Sequence, residues 1–483
     1  MPFKPVILWT DALIYLLLVV VIIFAWYVLR NEHLLTPWRR VGHSVSGMMA
    51  LTVLILFISI GLLDTVHFRP AIENSGNPNI EKVYGVQVLS LLDVIVTPLR
   101  TSVEKTYSAP FATRLYTKET IELAEGRQVR EFPRLKFGGA HLHNPEAQFA
   151  TDVTWRTVKG VGLGLFIWCV FVVSLVMLLA YRSGKKFIRT LFSILRSETE
   201  VPWNAVFIVL ALILSLIGAA MMLSTHYHIF GTDKVGQDVF YQSLKSIRTG
   251  LVIGTLTTLM MLPFALLLGI MAGYFRGWVD DVIQYIYTTL SSIPSVLLIA
   301  ATVLMMQVYM ETHPELFDTI AVRADLRLLF LCIILGVTSW TGLCRLLRGE
   351  TLKLREMEYI QAAHAFGVSH WRIISRHILP NVMHIVLIAT VMDFSGLVLA
   401  EAVLSYLGVG VDPSMISFGT MINAARLEMA REPIVWWALL SSFSFMFTLV
   451  LSANLFADAV QNAFNPRVRT LSFTNRKVVP LVT

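Results

Sequence analysis

Between two apolar runs of this 483-residue chain lies Glu358-Tyr359-Ile360-Gln361-Ala362-Ala363-His364-Ala365-Phe366-Gly367-Val368-Ser369-His370-Trp371-Arg372-Ile373-Ile374-Ser375-Arg376-His377-Ile378-Leu379-Pro380-Asn381. The spacing predicts a helix, a break and a second helix. Tyr359, Ala362, Ala363 and Phe366 recur at helical intervals, so one face carries two aromatic rings around a small centre that permits close approach. Gly367 suits the left-handed position after a helix end, and Ser369 can cap the helix that follows. On that second helix Trp371, Ile374 and Ile378 fall near one face, and Pro380 marks the start of the next apolar run. By spacing alone, such a short amphipathic element also fits one lying on a membrane surface.

The flanks decide its setting. Hydrophobic residues make up 55% of the chain and charged residues 15%, far too apolar for a soluble protein of this length. A bilayer span needs about 20 mostly apolar residues. Nine runs qualify as expected spans: Trp9–Leu29, Val45–Leu63, Val158–Tyr181, Val206–Ser224, Gly250–Tyr274, Ile283–Met306, Leu326–Leu343, Val382–Leu404 and Ile434–Phe456. Their length implies helices rather than a barrel, and the fold class is an all-α polytopic membrane protein. The first run is followed by arginines and lacks a clear cleavage site, so it reads as a retained helix.

The net charge of +7 raises the question of nucleic acid, but the basic residues are scattered through short loops beside apolar runs. That pattern reads as topology, with no nucleic-acid partner. Alternate connections carry Arg30, Arg39 and Arg40; then Arg182, Lys185, Lys186, Arg189 and Arg196; then Arg345, Arg348, Lys353, Arg355, Arg372 and Arg376; and last Arg467, Arg469, Arg476 and Lys477. These are expected in the cytoplasm. The opposite connections, such as Gln307–Asp325 and Val409–Pro433, mix Arg with as many or more acidic residues and are expected outside. The N-terminus then lies outside, with only Lys4 against it, and the C-terminus inside.

Residues 64–156 form the one long polar stretch, expected as an extracytoplasmic domain. Within it Val83–Leu99 fits a strand or a helix packed under the loop, which periodicity does not decide. His141 and His143 can fall on one side of a strand and hold a metal, but no third ligand is evident, and the Gly/Pro-punctuated surroundings read as a surface loop with no metal site. Cys169, Cys332 and Cys344 lie in or at the end of apolar stretches without paired spacing, which points to neither disulfides nor zinc. Asp393 and Glu401 fall inside the eighth span, where charge is costly and defaults to function. They are candidates for a cavity or its gate, beside the plainer reading of polar contacts between helices.

The quoted loop resembles the cytoplasmic loop of binding-protein-dependent ATP-binding-cassette (ABC) importer permeases, which runs Glu-Ala-Ala, then Gly after three residues, then Ile-Xaa-Leu-Pro. The chain matches at Ala362, Ala363, Gly367, Ile378 and Pro380, with Leu379 beside them, and departs at Gln361, where the family has glutamate. Three further stretches are similar to the dipeptide/oligopeptide branch, in the same order. They are Phe230–Val239, with Gln237 where Arg is usual; Gly269–Asp280, with glycines spaced by four that let helices approach closely; and Glu401–Gly410 followed by Asn454–Asp458. In the first of these, Thr232 or Asp233 can cap a helix start.

The resemblance implies a six-helix type I importer permease core over 203–467. It is preceded by two added helices (1–63), the external insert (64–156), a third added helix with a cytoplasmic linker (157–202), and followed by a cytoplasmic tail (468–483). It implies that Glu358, Tyr359, Gln361, Ala362, Ala363, Phe366, Gly367, Trp371, Arg372 and Pro380 couple to an ATPase. Ser183-Gly184-Lys185-Lys186 lacks the hydroxyl and upstream glycine of a phosphate-binding loop, so the chain is not expected to be an enzyme. ATP and Mg belong to partner ATPase subunits, with no cofactor on this chain. The implied partners are a homologous second permease, two ATPases, an extracytoplasmic substrate-binding protein and the bilayer of a bacterial inner membrane. An ion-gradient-driven secondary transporter also explains spans and buried carboxylates, but not the loop.

Overall fold

The computed structural model describes residues 3–71, 84–85, 87–122, 128–184, 186–196, 198–317 and 319–464. The expected tail from 468 onward lies outside them. A strand β1 (Phe3–Val6) precedes helices α1 (Trp9–Arg30), α2 (Glu32–His43) and α3 (Val45–Thr65). Strands β2 (His67–Pro70) and β3 (Leu89–Ser90), helices α4 (Leu91–Ile95) and α5 (Thr97–Thr101), and the hairpin β4 (Glu119–Glu122) with β5 (Gln128–Glu131) follow. The chain continues with α6 (Pro145–Ser183), α7 (Phe187–Leu195), α8 (Trp203–Ser224), α9 (Val239–Phe275), α10 (Trp278–Ser292), α11 (Ser295–Thr312), α12 (Ile320–Ser339) and α13 (Thr341–Arg355). Last come α14 (Glu358–Ala365), α15 (His370–Ile373), a π-helical turn Ile374–Ile378, α16 (Leu379–Tyr406), α17 (Phe418–Glu428) and α18 (Trp437–Phe464).

Among the described residues eight helices are long and apolar enough to cross a membrane, against nine expected spans. The difference is Leu326–Leu343. Its helix starts earlier, at Ile320, so that Arg323, Asp325 and Arg327 occupy its first turns, and it is interrupted at Trp340 before α13 begins. The expected span Ile283–Met306 is also not one helix: Pro294, which has no N–H to donate, separates α10 from α11. Conversely α9 is longer than Gly250–Tyr274. Its 37 residues, roughly 55 Å at 1.5 Å each, stand well proud of a hydrocarbon core.

The added N-terminal helices are woven into the rest. Helix α3 packs on α18, α9 and α8, with Gly47 against Ala459 and Gly61 against Leu251. Helix α6 lies along α8, where a Cβ on Gly160, Gly164 or Gly218 would fall within 2.5 Å of a backbone oxygen of the facing helix. Only glycine permits that approach. Helix α1 packs on α12 and α9.

At one end of the bundle β1 pairs antiparallel with β2, and β2 with β3, so the N-terminus shares the side of the polar insert. Val83 and Val86 lie outside the described residues, but from Leu89 the ambiguous segment is a two-residue strand followed by two helical turns, not one element. The insert is clamped on by buried polar groups. Thr232 Oγ1 accepts from the Ser108 amide at 2.7 Å, and Trp437 Nε1 donates to the Thr232 carbonyl at 2.9 Å. His228 Nδ1 lies 2.7 Å from Asp238 and its Nε2 3.5 Å from Glu104. Glu104 in turn accepts from the amides of Lys136, Phe137 and Gly138.

Below this, Arg248 of α9 donates to Asp11 of α1 at 2.6 Å, and Asp11 also meets His67 at 2.7 Å. Lys245 pairs with Asp64 and Asp93 at 2.5 and 3.2 Å. His141 is tied to Asp152 at 2.8 Å and packs edge-on to His226. Among the described residues no group of three or more metal-ligating side chains forms.

Candidate functional site

At the opposite end of the bundle, α13 lies along α9 because two of the glycines spaced by four leave room for it. A Cβ on Gly269 would sit 2.9 Å from the Cys344 carbonyl, and one on Gly273 2.6 Å from Thr351 Cβ. Gly277 departs from the expected role: nothing lies within 4 Å of it, and its φ of +57° starts α10 instead. Arg348 of α13 grips Asp280 of α10 with two hydrogen bonds of 2.6 and 2.7 Å, and that grip holds the Asp280 carboxyl below its ordinary range. Arg276 pairs with Glu356 where α13 ends.

From there the loop runs as its spacing predicts. After α14, Gly367 takes a φ of +73°. Its amide donates to the His364 carbonyl and that of Val368 to the Ala363 carbonyl, at 3.0 and 3.1 Å, the paired bonds that close a helix on a left-handed residue. Ser369 sits at the start of α15, but its side chain caps nothing, contrary to expectation. The second helix is not separate from the following span. It passes through the π-helical turn directly into α16, and the extra residue in that turn precedes Pro380, whose ring and missing N–H disturb ordinary α-helical bonding.

The loop is anchored from beneath by Ile360, Ile373, Ile374 and Ile378, buried against Leu347, Cys344 and Tyr274. Its other face is bare. Phe366 is 86% exposed and Trp371 68%, with Tyr359, Gln361, Ala362 and Arg372 exposed beside them. Trp371 therefore does not share the buried face of Ile374 and Ile378. Ala363 is half-buried, and Gln361 Nε2 donates to the Glu356 carbonyl at 3.2 Å, within its own loop. Ile360, the deepest anchor of α14, was unassigned by the spacing argument, although its apolar character in a polar turn was a usable signal.

The two span carboxylates differ. Glu401 is buried and accepts from Ser405 and Ser417 at 2.6 and 2.8 Å, tying α16 to the start of α17. Asp393 is half-buried in mid-helix and makes no hydrogen bond or ion pair among the described residues. The Gly-Thr-Asp stretch also works differently from expectation. Asp238, not Thr232 or Asp233, caps α9, accepting from Phe240 and Tyr241, while Asp233 accepts from Val235 and Gln237 inside its own turn.

The loop thus combines a buried apolar keel with an exposed aromatic face on a polytopic helical bundle. Residues 265–470 match the family described as the binding-protein-dependent transport system inner membrane component. The chain is 32% identical over 244 residues to the oligopeptide transport system permease protein OppC of Mycobacterium tuberculosis, covering 50% of this chain and 77% of that one. It is 31% identical over 243 residues to the glutathione transport system permease protein GsiD of Pectobacterium atrosepticum, covering 50% and 74%. The dipeptide transport system permease protein DppC of Bacillus subtilis is 28% identical over 242 residues, covering 50% and 69%. The chain belongs to this family: it is a multi-pass permease subunit of an ABC importer.

Proposed function

We propose that this permease carries short peptides, works beside a homologous second permease, and is driven by two separate ATPases that dock on the loop from Glu358 to Pro380. The observation that carries the reading is the anchored loop with its bare aromatic face. Phe366, Trp371 and Tyr359 together are costly to leave in water and are suited to a protein pocket. Gln361 in place of glutamate removes a charge from that surface, so docking here rests on shape and apolar area more than on an ion pair. ATP and Mg sit on the partners, and this chain carries no cofactor. An extracytoplasmic binding protein delivers the cargo. The loop end faces the cytoplasm together with the C-terminus, and the N-terminal strand and insert face outward.

The peptide reading is supported by the oligopeptide, dipeptide and glutathione permeases among the relatives. Asp393, a mid-span carboxyl without a partner among the described residues, is the better candidate for the translocation path. Glu401, with both hydroxyl partners supplied, serves as a brace between α16 and α17. Uptake of labelled di- to pentapeptides in a strain lacking this chain tests the cargo, and co-purification of an ATPase tests the drive. The chain should restore peptide uptake and bring down the ATPase. Parental uptake without the chain, or no ATPase in the purified complex, sinks the proposal.

A further inference from the structure

The loop's attachment to the bundle is as specific as its exposed face. Tyr274, at the end of α9, is 2% exposed. Its hydroxyl lies 2.9 Å from His364 Nε2 and 2.9 Å from His370 Nδ1. Those two histidines stand on opposite sides of Gly367, one on α14 and the other on α15. A phenol has one proton and two lone pairs, so it can donate to one imidazole and accept from the other.

The backbone of Tyr274 is itself pinned. Arg355 Nη1 donates to its carbonyl at 2.8 Å, and Gly273 just before it is pressed against Thr351 of α13. The His364 ring stacks on the phenol ring at 5.8 Å and that of His370 meets it edge-on at 5.6 Å. Helix α9 runs from here to the far end of the bundle, where Lys245 and Arg248 hold α1, α3 and the insert. The left-handed break between the loop's two helices, at Gly367, is thus bridged by one side chain of the long helix α9.

We infer that Tyr274 is a positioning residue for energy coupling: by holding His364 and His370 together across Gly367, it makes the loop move as one body with α9. The inference rests on the loop being the ATPase dock. Both histidines are exposed, so water could satisfy them. Their shared bond to a buried hydroxyl therefore fixes geometry.

The test uses the complete complex, reconstituted in proteoliposomes and supplied with labelled di- to pentapeptides. Tyr274→Phe keeps the ring and loses both bonds. Assembly and basal ATP hydrolysis should persist, with KM for peptide unchanged, while peptide moved per ATP falls about tenfold, or about 1.4 kcal/mol. His364→Leu and His370→Leu should each lower that ratio, whereas His364→Gln and His370→Asn, which keep a hydrogen-bonding group, should stay within about twofold of the parent.

A parental ratio in Tyr274→Phe overturns the inference. So does loss of all activity in Tyr274→Phe with parental ratios in both leucine variants, which would make Tyr274 a folding residue only. If Tyr274→Phe does not assemble, the two exposed leucine variants decide by the same ratio. Phe366→Asp separates the two levels: if it too keeps parental uptake, the dock reading has failed. If it abolishes uptake while Tyr274→Phe does not, only the hub has failed.

Discussion

The two ends of this bundle solve opposite problems. At the insert end, charged groups taken out of water find partners within the chain: Arg248 with Asp11, Lys245 with Asp64 and Asp93, His228 with Asp238 and Glu104. At the loop end the buried side is apolar and the exposed side carries Phe366, Trp371 and Tyr359. One end is complete in itself; on the proposed function the other is completed by a docked ATPase. The difference separates residues that hold the chain together from residues that do its work, and substitutions at the two ends should fail in different ways.

The largest effect on transport is expected at the loop. Gly367→Pro cannot adopt the φ of +73° found there, and Ala363→Asp puts a charge on the half-buried side of α14. Either should reduce uptake by more than about tenfold, the equivalent of about 1.4 kcal/mol, while insertion and thermal stability stay near parental. Full substrate-stimulated ATP hydrolysis by the purified complex would contradict this.

After the loop's effect on transport comes the largest effect on stability, from Asp11→Ala, which leaves Arg248 buried without its carboxylate. Breaking a buried pair from one side costs about 3–5 kcal/mol. The melting midpoint of the solubilised protein should therefore drop, in contrast to the loop variants. An unmoved midpoint would mean that the insert end is not self-sufficient, and the comparison would lose half its content.

The smallest effect is one of pH on the insert. Burial alone would lower the His228 imidazole, but the carboxylates of Asp238 and Glu104 outweigh it and raise it to about 9 from an ordinary 6.5. Its contribution is full below 6.5 and lost as pH rises through 9. Burial alone would raise Glu104, but His228 and the amides of Lys136, Phe137 and Gly138 hold it at about 2, below an ordinary 4.5. That contribution is present above 4.5 and lost as pH falls through 2. Protection of the insert from proteolysis should therefore be greatest between about 4.5 and 6.5 and weaken toward pH 9. In His228→Gln the alkaline decline should vanish; its persistence would assign the decline to other groups.

Much of the loop end was legible in the sequence because its rules are local. The helix, the left-handed glycine and the onset at Pro380 depend on neighbours within one or two turns. Ser369 misled because a capping residue type does not guarantee that its side chain turns back to the helix. The insert end was far less legible. That Asp238 rather than Thr232 starts α9 depends on His228 and on Ser108 from a segment more than a hundred residues earlier. The three added helices looked like a separate preface, yet α3 lies against α9 and α18, through contacts that no periodicity encodes.

By itself the sequence determined that this is a helical membrane protein, and by the order of its short motifs which kind, because apolar run length and turn chemistry are properties of adjacent residues. Only the tertiary structure decided that span seven begins with three charged residues and that span six breaks at Pro294. It also decided which carboxylate is partnered, and that Tyr274 grips a loop ninety residues away. Those outcomes depend on what packs against a side chain from elsewhere in the chain, and burial, not residue type, sets their energy.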